Sequence, residues 1–277
     1  DSLEKAYRGN LERSNVTIVN ARATLLDAHR VALAGSEKVV SANRILIATG
    51  ARPFFPDDVP GIDSAESSDD FFEWDRLPRS VVIVGAGYIG VEFACLLQRL
   101  GVKVTLVIRR DKVLPRFDED LRSALSHAMQ EQGIVLKTQT SVARIEGERG
   151  RLVVALQDGT SLACERIVYA TGRVPNVNGL GLETAGVKTG KNGAICVDAD
   201  SATSVPSIHA VGDVTDRVAL TPVAIREGHA YADTYFGNKP VRASHDMIAT
   251  AVFSTPELGT VGLTEAEARE KFANVVI

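Results

Sequence analysis

Two segments of this sequence are copies of one another in outline, NRILIATGARP at 43–53 and ERIVYATGRVP at 165–175. Each is an apolar strand pattern that runs into Ala-Thr-Gly and closes on Pro three residues later. The likeness extends upstream. A short strand pattern (VTIVNA, 16–21; IVLKTQ, 134–139) is followed by two alternating strands across a polar turn, RATLLDAHRVALAG at 22–35 and RIEGERGRLVVALQDGT at 144–160. One order of elements occurring twice predicts two domains of one type, each represented by its back half.

What stands in front of each copy differs. Residues 81–132 read as strand, glycine-rich turn, long helix, strand and second helix, the front half of a doubly wound nucleotide domain. Before the first copy there is only DSLEKAYRGNLERSN, an amphipathic helix pattern, so the first domain is expected to lack such a front half. Residues 51–80, rich in Pro, Asp and Ser, predict the crossing into the second domain, and residues 187–203 the crossing back. SIHAVGDV (207–214) and the helix pattern PVAIREGHAYADTYFG (222–237) then rejoin the first domain. After Lys239-Pro240 the chain reads as two short strands and a helix opened by a capping box from Thr264 to Glu267. Domains are therefore expected at 1–78 together with 199–240, at 79–198, and, as the start of a third, at 241–277.

Gly85, Gly87 and Gly90 follow the apolar strand and open the helix, the context in which G-x-G-x-x-G marks a dinucleotide site. Gly85 suits the tight turn, Gly87 lets a pyrophosphate approach the backbone, and Gly90 lets the helix pack close to the sheet. The next strand, KVTLVI, ends without the Asp or Glu that would accept ribose hydroxyls; Ile108 is followed by Arg109 and Arg110. An acid there would repel a 2′-phosphate, whereas guanidinium groups are planar, permanently charged donors that match one. The pair predicts NADP(H) over NAD(H).

Bulk properties remove several other function classes. With 277 residues, 45% of them hydrophobic, and a net charge of -4, the chain can fill its cores but has no general attraction for nucleic acid or anionic membrane. No apolar run approaches the roughly 18 residues of a membrane span, and the first 15 residues are charged throughout, unlike a secretory leader. A cytoplasmic address is expected. Cys95, Cys164 and Cys196 are far apart, without a C-x-x-C pair or metal spacing, and read as small core residues. The five histidines are scattered, and no metal site is assigned.

GAGYIGVEF, IRRDKVLPRFD, YATGRVPN, AVGDVTDRVALTPVA and VFSTPELGTVGLTEAEA occur in an order that resembles the flavin-dependent disulfide reductases, and within them the glutathione reductase group. The resemblance runs from about residue 15 to the C-terminus. It implies an α/β subunit in which a Rossmann-like NADP-binding domain, doubly wound with a β-meander, is inserted into an FAD-binding domain, here incomplete, with an α+β dimerisation domain beginning behind it. It further implies a homodimer that passes hydride from NADPH to FAD, then to a redox disulfide and on to glutathione disulfide.

By the same resemblance Gly85, Gly87, Tyr88, Ile89, Gly90, Glu92, Arg109, Arg110, Arg116, Gly172 and Arg173 serve NADP(H). Tyr88 is then the ring that covers the nicotinamide pocket, Glu92 the carboxylate that pairs with a flavin-side lysine, and Arg173 faces the nucleotide. For FAD the resemblance implies Thr49 and Gly50, Asp213 on the ribityl chain, and Leu220 and Thr221 beside the isoalloxazine. The pattern places Thr221 at the N-cap and Pro222 at the first position of a helix whose positive end faces the ring.

The sequence also departs from that family. Pro115 stands where the second phosphate-binding arginine falls, with Arg116 one place later, and Gly90 stands where NADPH-using members commonly carry Ala. The redox pair C-x-x-x-x-C, the N-terminal FAD glycines and the H-P-T histidine with its glutamate partner do not occur in it. No catalytic residue is assigned, and the chain alone is expected to be catalytically incomplete. Dihydrolipoamide dehydrogenase and mercuric reductase stay open as alternatives, the arginine pair weighing against the NAD-using former, as does a nucleotide-binding piece with no catalysis of its own.

Overall fold

A computed structural model describes residues 2–277. Helix α1 (Ser2–Arg13) buries no residue. An antiparallel meander follows, β1 (Ala23–Leu25), β2 (Arg30–Leu33) and β3 (Val39–Ser41), then β4 (Ile45–Ile47), β5 (Ala51–Pro53) and the short helix α2 (Ser68–Phe71). The central block runs β6 (Ser80–Val84), α3 (Tyr88–Arg99), β7 (Lys103–Val107), α4 (Glu119–Glu131) and β8 (Val135–Lys137). A second meander, β9 (Val142–Glu148), β10 (Arg151–Leu156) and β11 (Ser161–Cys164), leads into β12 (Arg166–Tyr169) and β13 (Arg173–Pro175). The chain ends through β14 (Ile208–Ala210), α5 (Thr221–Tyr235), β15 (Thr250–Val252), β16 (Leu258–Thr260) and α6 (Glu265–Lys271). Thr264 and Glu267 form the expected capping box. The stretch 16–21, expected as a strand, is not one: Val16 and Val19 are exposed, and an unpaired segment has no ladder to satisfy its backbone.

The main sheet is parallel, in the order β12-β6-β7-β8. Four successive residues of β6 are buried because both faces of the strand are covered. Val81 and Ile83 join Val91, Ala94 and Leu97 of α3 and Met129 of α4 on one side, while Val82 and Val84 join Leu152 and Val154 of the meander on the other. This is the expected Rossmann-like sheet, helices on one face and meander on the other. The first copy of the repeat keeps the same parts in smaller number: the meander β1–β3, and β4 paired in parallel with β14.

The chain forms two compact units, one of residues up to Gly50 with Pro175–Ala243, the other Ala51–Val174 with Ser244–Ile277. These divisions differ from the expected boundaries at 78/79 and 198/199, and packing explains why. In the second unit Phe55, Val59, Ile62 and Ala65 lie against the meander-side core, and Phe71 stacks on Phe93 with ring centroids 3.8 Å apart. In the first unit Leu180, Leu182, Val187 and Ile195 share a core with Leu25, Ile47 and Ile208. Residues 244–277 pack with the second unit, where Val252 is fully buried in the core beside α3 and α4.

Candidate functional site

The glycine turn after β6 has the geometry its sequence requires. Gly85 sits at φ +134°, and a Cβ there would lie 2.2 Å from the Ala170 carbonyl oxygen, so only glycine fits. A Cβ on Gly90 would lie 2.5 Å from the Gly85 carbonyl oxygen, which fixes how closely α3 approaches the turn. Gly87 is different: it is the N-cap of α3, no side chain caps the helix there, and nothing stands within 4 Å of where its Cβ would be. The first backbone N–H groups of a helix have no partner within it, so this open mouth offers donors and partial positive charge to an anion. Tyr88 opens the helix and is 40% exposed; Ile89 is half-buried against the core.

Beyond β7 the chain buries Ile108 and then surfaces at Arg109 and Arg110. It folds back at once. Leu114, in the left-handed region at φ +51°, buries its side chain and donates its N–H to the Ala86 carbonyl (2.7 Å). That bond ties the loop to the glycine turn two residues before Arg116. The remaining loop charges are engaged: Lys112 with Glu119, and Arg122 with both Glu119 and Asp111. Lys112, as hydrogen-bond donor, holds the Glu119 carboxyl below the usual range. Arg109, Arg110 and Arg116 are exposed and, among the described residues, have no acidic partner.

Three residues assigned to the nucleotide have partners within the chain. Arg173 donates to Ser68 Oγ (3.2 Å) and to the Ala51 carbonyl, and lies 3.8 Å from Asp69, so its guanidinium holds the crossing segment against α2 instead of facing outward. Gly172, at φ +131°, accepts the Phe54 N–H through its carbonyl (3.0 Å). Glu92 Oε1 accepts the N–H of Phe253 (3.0 Å).

In the first unit, Ile47 and Ala210 are partners in adjacent parallel strands, so Thr49 and Gly50 on one and Gly212 and Asp213 on the other lie just past the carboxyl ends of the pair. Such strand ends are where α/β sheets take ligands. The Thr49 hydroxyl donates to the Asn176 carbonyl (2.8 Å), and Gly50 stands at φ +67° with nothing within 4 Å of its Cβ position. Helix α5 begins one residue earlier than expected: Leu220 is the N-cap, Thr221 the first helical residue and Pro222 the second. No side chain caps it, which leaves its N–H groups to whatever lies in front.

Sequence reasoning missed Glu227. Its carboxylate, 2% exposed, accepts the Gly212 N–H (2.6 Å) and pairs with Arg217 (2.8 Å), clamping the turn that presents Asp213. The signal was present: Val223, Glu227, Ala230 and Tyr231 lie on one helical face, all buried, with a single acid among them. The cysteines are not uniformly core residues. Burial raises the Cys95 thiol and pushes Cys164 up to about 11, which makes both poor nucleophiles, whereas Cys196 is exposed.

The model of one protein family, described as pyridine nucleotide-disulphide oxidoreductase, matches residues 1–228. Glutathione reductase of Burkholderia cepacia is 46% identical over 275 residues, 99% of this chain and 61% of that protein. Glutathione reductase of a Nostoc species is 45% identical, covering 98% of this chain and 61% of its own length. Trypanothione reductase of Trypanosoma congolense is 40% identical over 97% of this chain and 54% of its own. Among solved structures, the HOCl-induced flavoprotein disulfide reductase RclA from Escherichia coli superposes with a TM-score of 0.89 at 29% identity, covering 96% of this chain and 62% of that one. The chain thus spans about three fifths of the first two relatives. Among the described residues no helix is long and apolar enough to cross a membrane.

Proposed function

The chain belongs to the pyridine nucleotide-disulphide oxidoreductase family, and from that membership we propose that it supplies the NADPH-binding part of a glutathione-disulfide reductase. The observation that carries the reading is the set of three arginines, Arg109, Arg110 and Arg116, exposed without acidic partners on a loop tied to the open glycine turn. A ribose bearing a 2′-phosphate suits that set. A dehydrogenase using NAD would want an acid at the end of β7, and this strand has none. The relatives named glutathione reductase support the choice of substrate.

The residues fit the nucleotide. Gly85 and Gly90 shape the turn, Gly87 leaves its backbone open to the pyrophosphate, the N-terminus of α3 faces it, and Tyr88 stands at the entrance as the ring that must yield to the nicotinamide. For the flavin they fit in part: Thr49, Gly50, Asp213, Leu220 and Thr221 collect at the strand ends and at the uncapped start of α5, positions suited to the ribityl chain and ring. Bound NADPH would supply a hydride and bound FAD would relay its two electrons, so that one NADPH and one proton convert glutathione disulfide to two glutathiones. The positive end of α5 favours negative charge in front of it, which is the charge a flavin gains on reduction. The whole protein is then a cytoplasmic homodimer.

The test is calorimetric titration of NADPH and NADH. Charge-assisted contacts from arginine to phosphate are each worth about 1.5–3 kcal/mol, so NADPH is expected to bind at least about tenfold more tightly. Arg109→Ala should erase most of that margin. Equal affinities for the two nucleotides overturn the reading.

A further inference from the structure

We propose that Arg122 sets the preference for the 2′-phosphate by withdrawing the acids of the clamp loop, without touching the phosphate itself. The inference rests on the reading of Arg109, Arg110 and Arg116 as phosphate ligands. As a sequence, residues 109–120 are no cationic site: Arg109, Arg110, Lys112 and Arg116 are matched by Asp111, Asp118, Glu119 and Asp120. Asp111 directly follows the arginine pair, where a free carboxylate would cancel much of its attraction for an anion.

The fold engages three of the four acids, while Asp120 is exposed in the first turn of α4. Arg122 pairs with Asp111 (3.5 Å) and with Glu119, which Lys112 also holds. Asp118 spends one carboxylate oxygen on the N–H of Asp120 (3.1 Å) and the other on the N–H of Glu265 (2.9 Å), so one side chain serves the starts of α4 and α6. Of the loop's cations, the three arginines are left without an acid among the described residues. Arg122 cannot serve as a fourth ligand. Its side chain is only 13% exposed, and its Nε donates to the Val113 carbonyl (3.1 Å), which anchors it beneath the loop. It is a positioning residue that makes a charge-balanced segment present a positive face.

The experiment titrates the full 277-residue chain with NADPH and NADH and reads the ratio of their affinities, which a general loss of folding would not shift selectively. Arg122→Gln releases Asp111 and Glu119 and is expected to lower the ratio about three- to tenfold, the scale of one or two exposed ion pairs. Adding Asp111→Asn in that background should recover most of the loss. Asp111→Asn alone should change the ratio less than about twofold, because Arg122 already faces that acid. An unchanged ratio in Arg122→Gln overturns the proposal. So does a rise of about fivefold or more from Asp111→Asn alone, a result that can be read even if Arg122→Gln does not fold. A wild-type chain that binds both nucleotides equally removes the premise itself, and that is known before any variant is made.

Discussion

Removing the Glu227 carboxylate should loosen the first unit and leave the second untouched. Glu227 accepts the Gly212 N–H at 2.6 Å and pairs with Arg217 at 2.8 Å while itself 2% exposed. In Glu227→Ala the Gly212 N–H loses its acceptor in a site closed to water, about 1–3 kcal/mol, and Arg217 loses its counter-charge. Breaking a fully buried pair costs about 3–5 kcal/mol, but Arg217 is about one fifth exposed and keeps Thr215 Oγ1 (3.3 Å) and Ser201 Oγ (3.2 Å), so this part falls to about 1 kcal/mol. The expected total is about 3 kcal/mol, and about 1–1.5 kcal/mol for Glu227→Gln, which retains the acceptor for Gly212. Amide hydrogen exchange read by mass spectrometry separates the units. Peptides covering 207–217 should exchange on the order of a hundredfold faster in Glu227→Ala, while those covering 81–107 stay as they were. Exchange at 207–217 within about threefold of wild type would show that the carboxylate does not clamp the turn.

Tyr88→Ala should keep the fold within about 1 kcal/mol and alter nicotinamide access, measured by NADPH on-rate in stopped flow; a loss above about 3 kcal/mol in thermal unfolding would make Tyr88 a core ring instead. His209 is 1% exposed, and burial first, then the Arg44 charge, lower its pKa, with Asp198 acting the other way. The folded state therefore binds fewer protons than the unfolded one: its stability is full above about pH 6.5 and declines as pH falls below that value. Melting temperatures between pH 8 and 5 should show that decline, and His209→Asn should flatten it; an equal slope in the variant would remove His209 as the cause. The 277-residue chain should purify without stoichiometric flavin, because the first unit has, among its described residues, groups for the ring end and no second glycine turn for the pyrophosphate. Its visible absorbance spectrum decides this, and a full complement of bound flavin would refute it.

The glycine turn was legible because backbone geometry leaves no choice there. A side chain at position 85 or 90 of this chain would meet main-chain oxygen at 2.2 and 2.5 Å, and at Gly85 the positive φ adds a second reason for glycine. The capping box of α6 was legible for a similar reason, its partners lying three residues apart. Features that depend on distant partners were not. VTIVNA has strand propensity but no neighbour to pair with, and nothing local shows that Arg173 bonds Ser68 and the Ala51 carbonyl. The start of α5 was misplaced by one residue because Thr221 is a good capping residue and Leu220 is not, yet Leu220 has the extended backbone of an N-cap. The compact units divide elsewhere than the expected boundaries because a polar, proline-rich stretch reads as linker even where Phe55, Ile62 and Phe71 pack into a core.

The repeat reaches further in space than in sequence. Arg44 and Arg166 occupy the same place in the two copies, each two residues before the strand position that meets a neighbour: Leu46 opposite His209 in one, Val168 opposite Glu66 in the other. Both arginines lie over an aromatic ring, Arg44 over Tyr235 at 4.3 Å and Arg166 over Trp74 at 4.8 Å. Both edge partners are polar and almost fully buried, His209 at 1% and Glu66 at 2%. Where the partner is an acid, the arginine forms an ion pair with it at 2.6 Å, joined by Arg149 and the Trp74 N–H. Where it is an imidazole, the same positive charge helps keep the ring neutral against Tyr231 and Tyr235. The repeated segments themselves do not show this, because the edge residue and the aromatic come from before the strand in the second copy and after it in the first. What the two copies share is thus a strand whose leading arginine lies over an aromatic ring and near a buried polar group on the neighbouring segment. That arrangement admits either an anionic or an uncharged partner, since a second cation there would be repelled by the guanidinium.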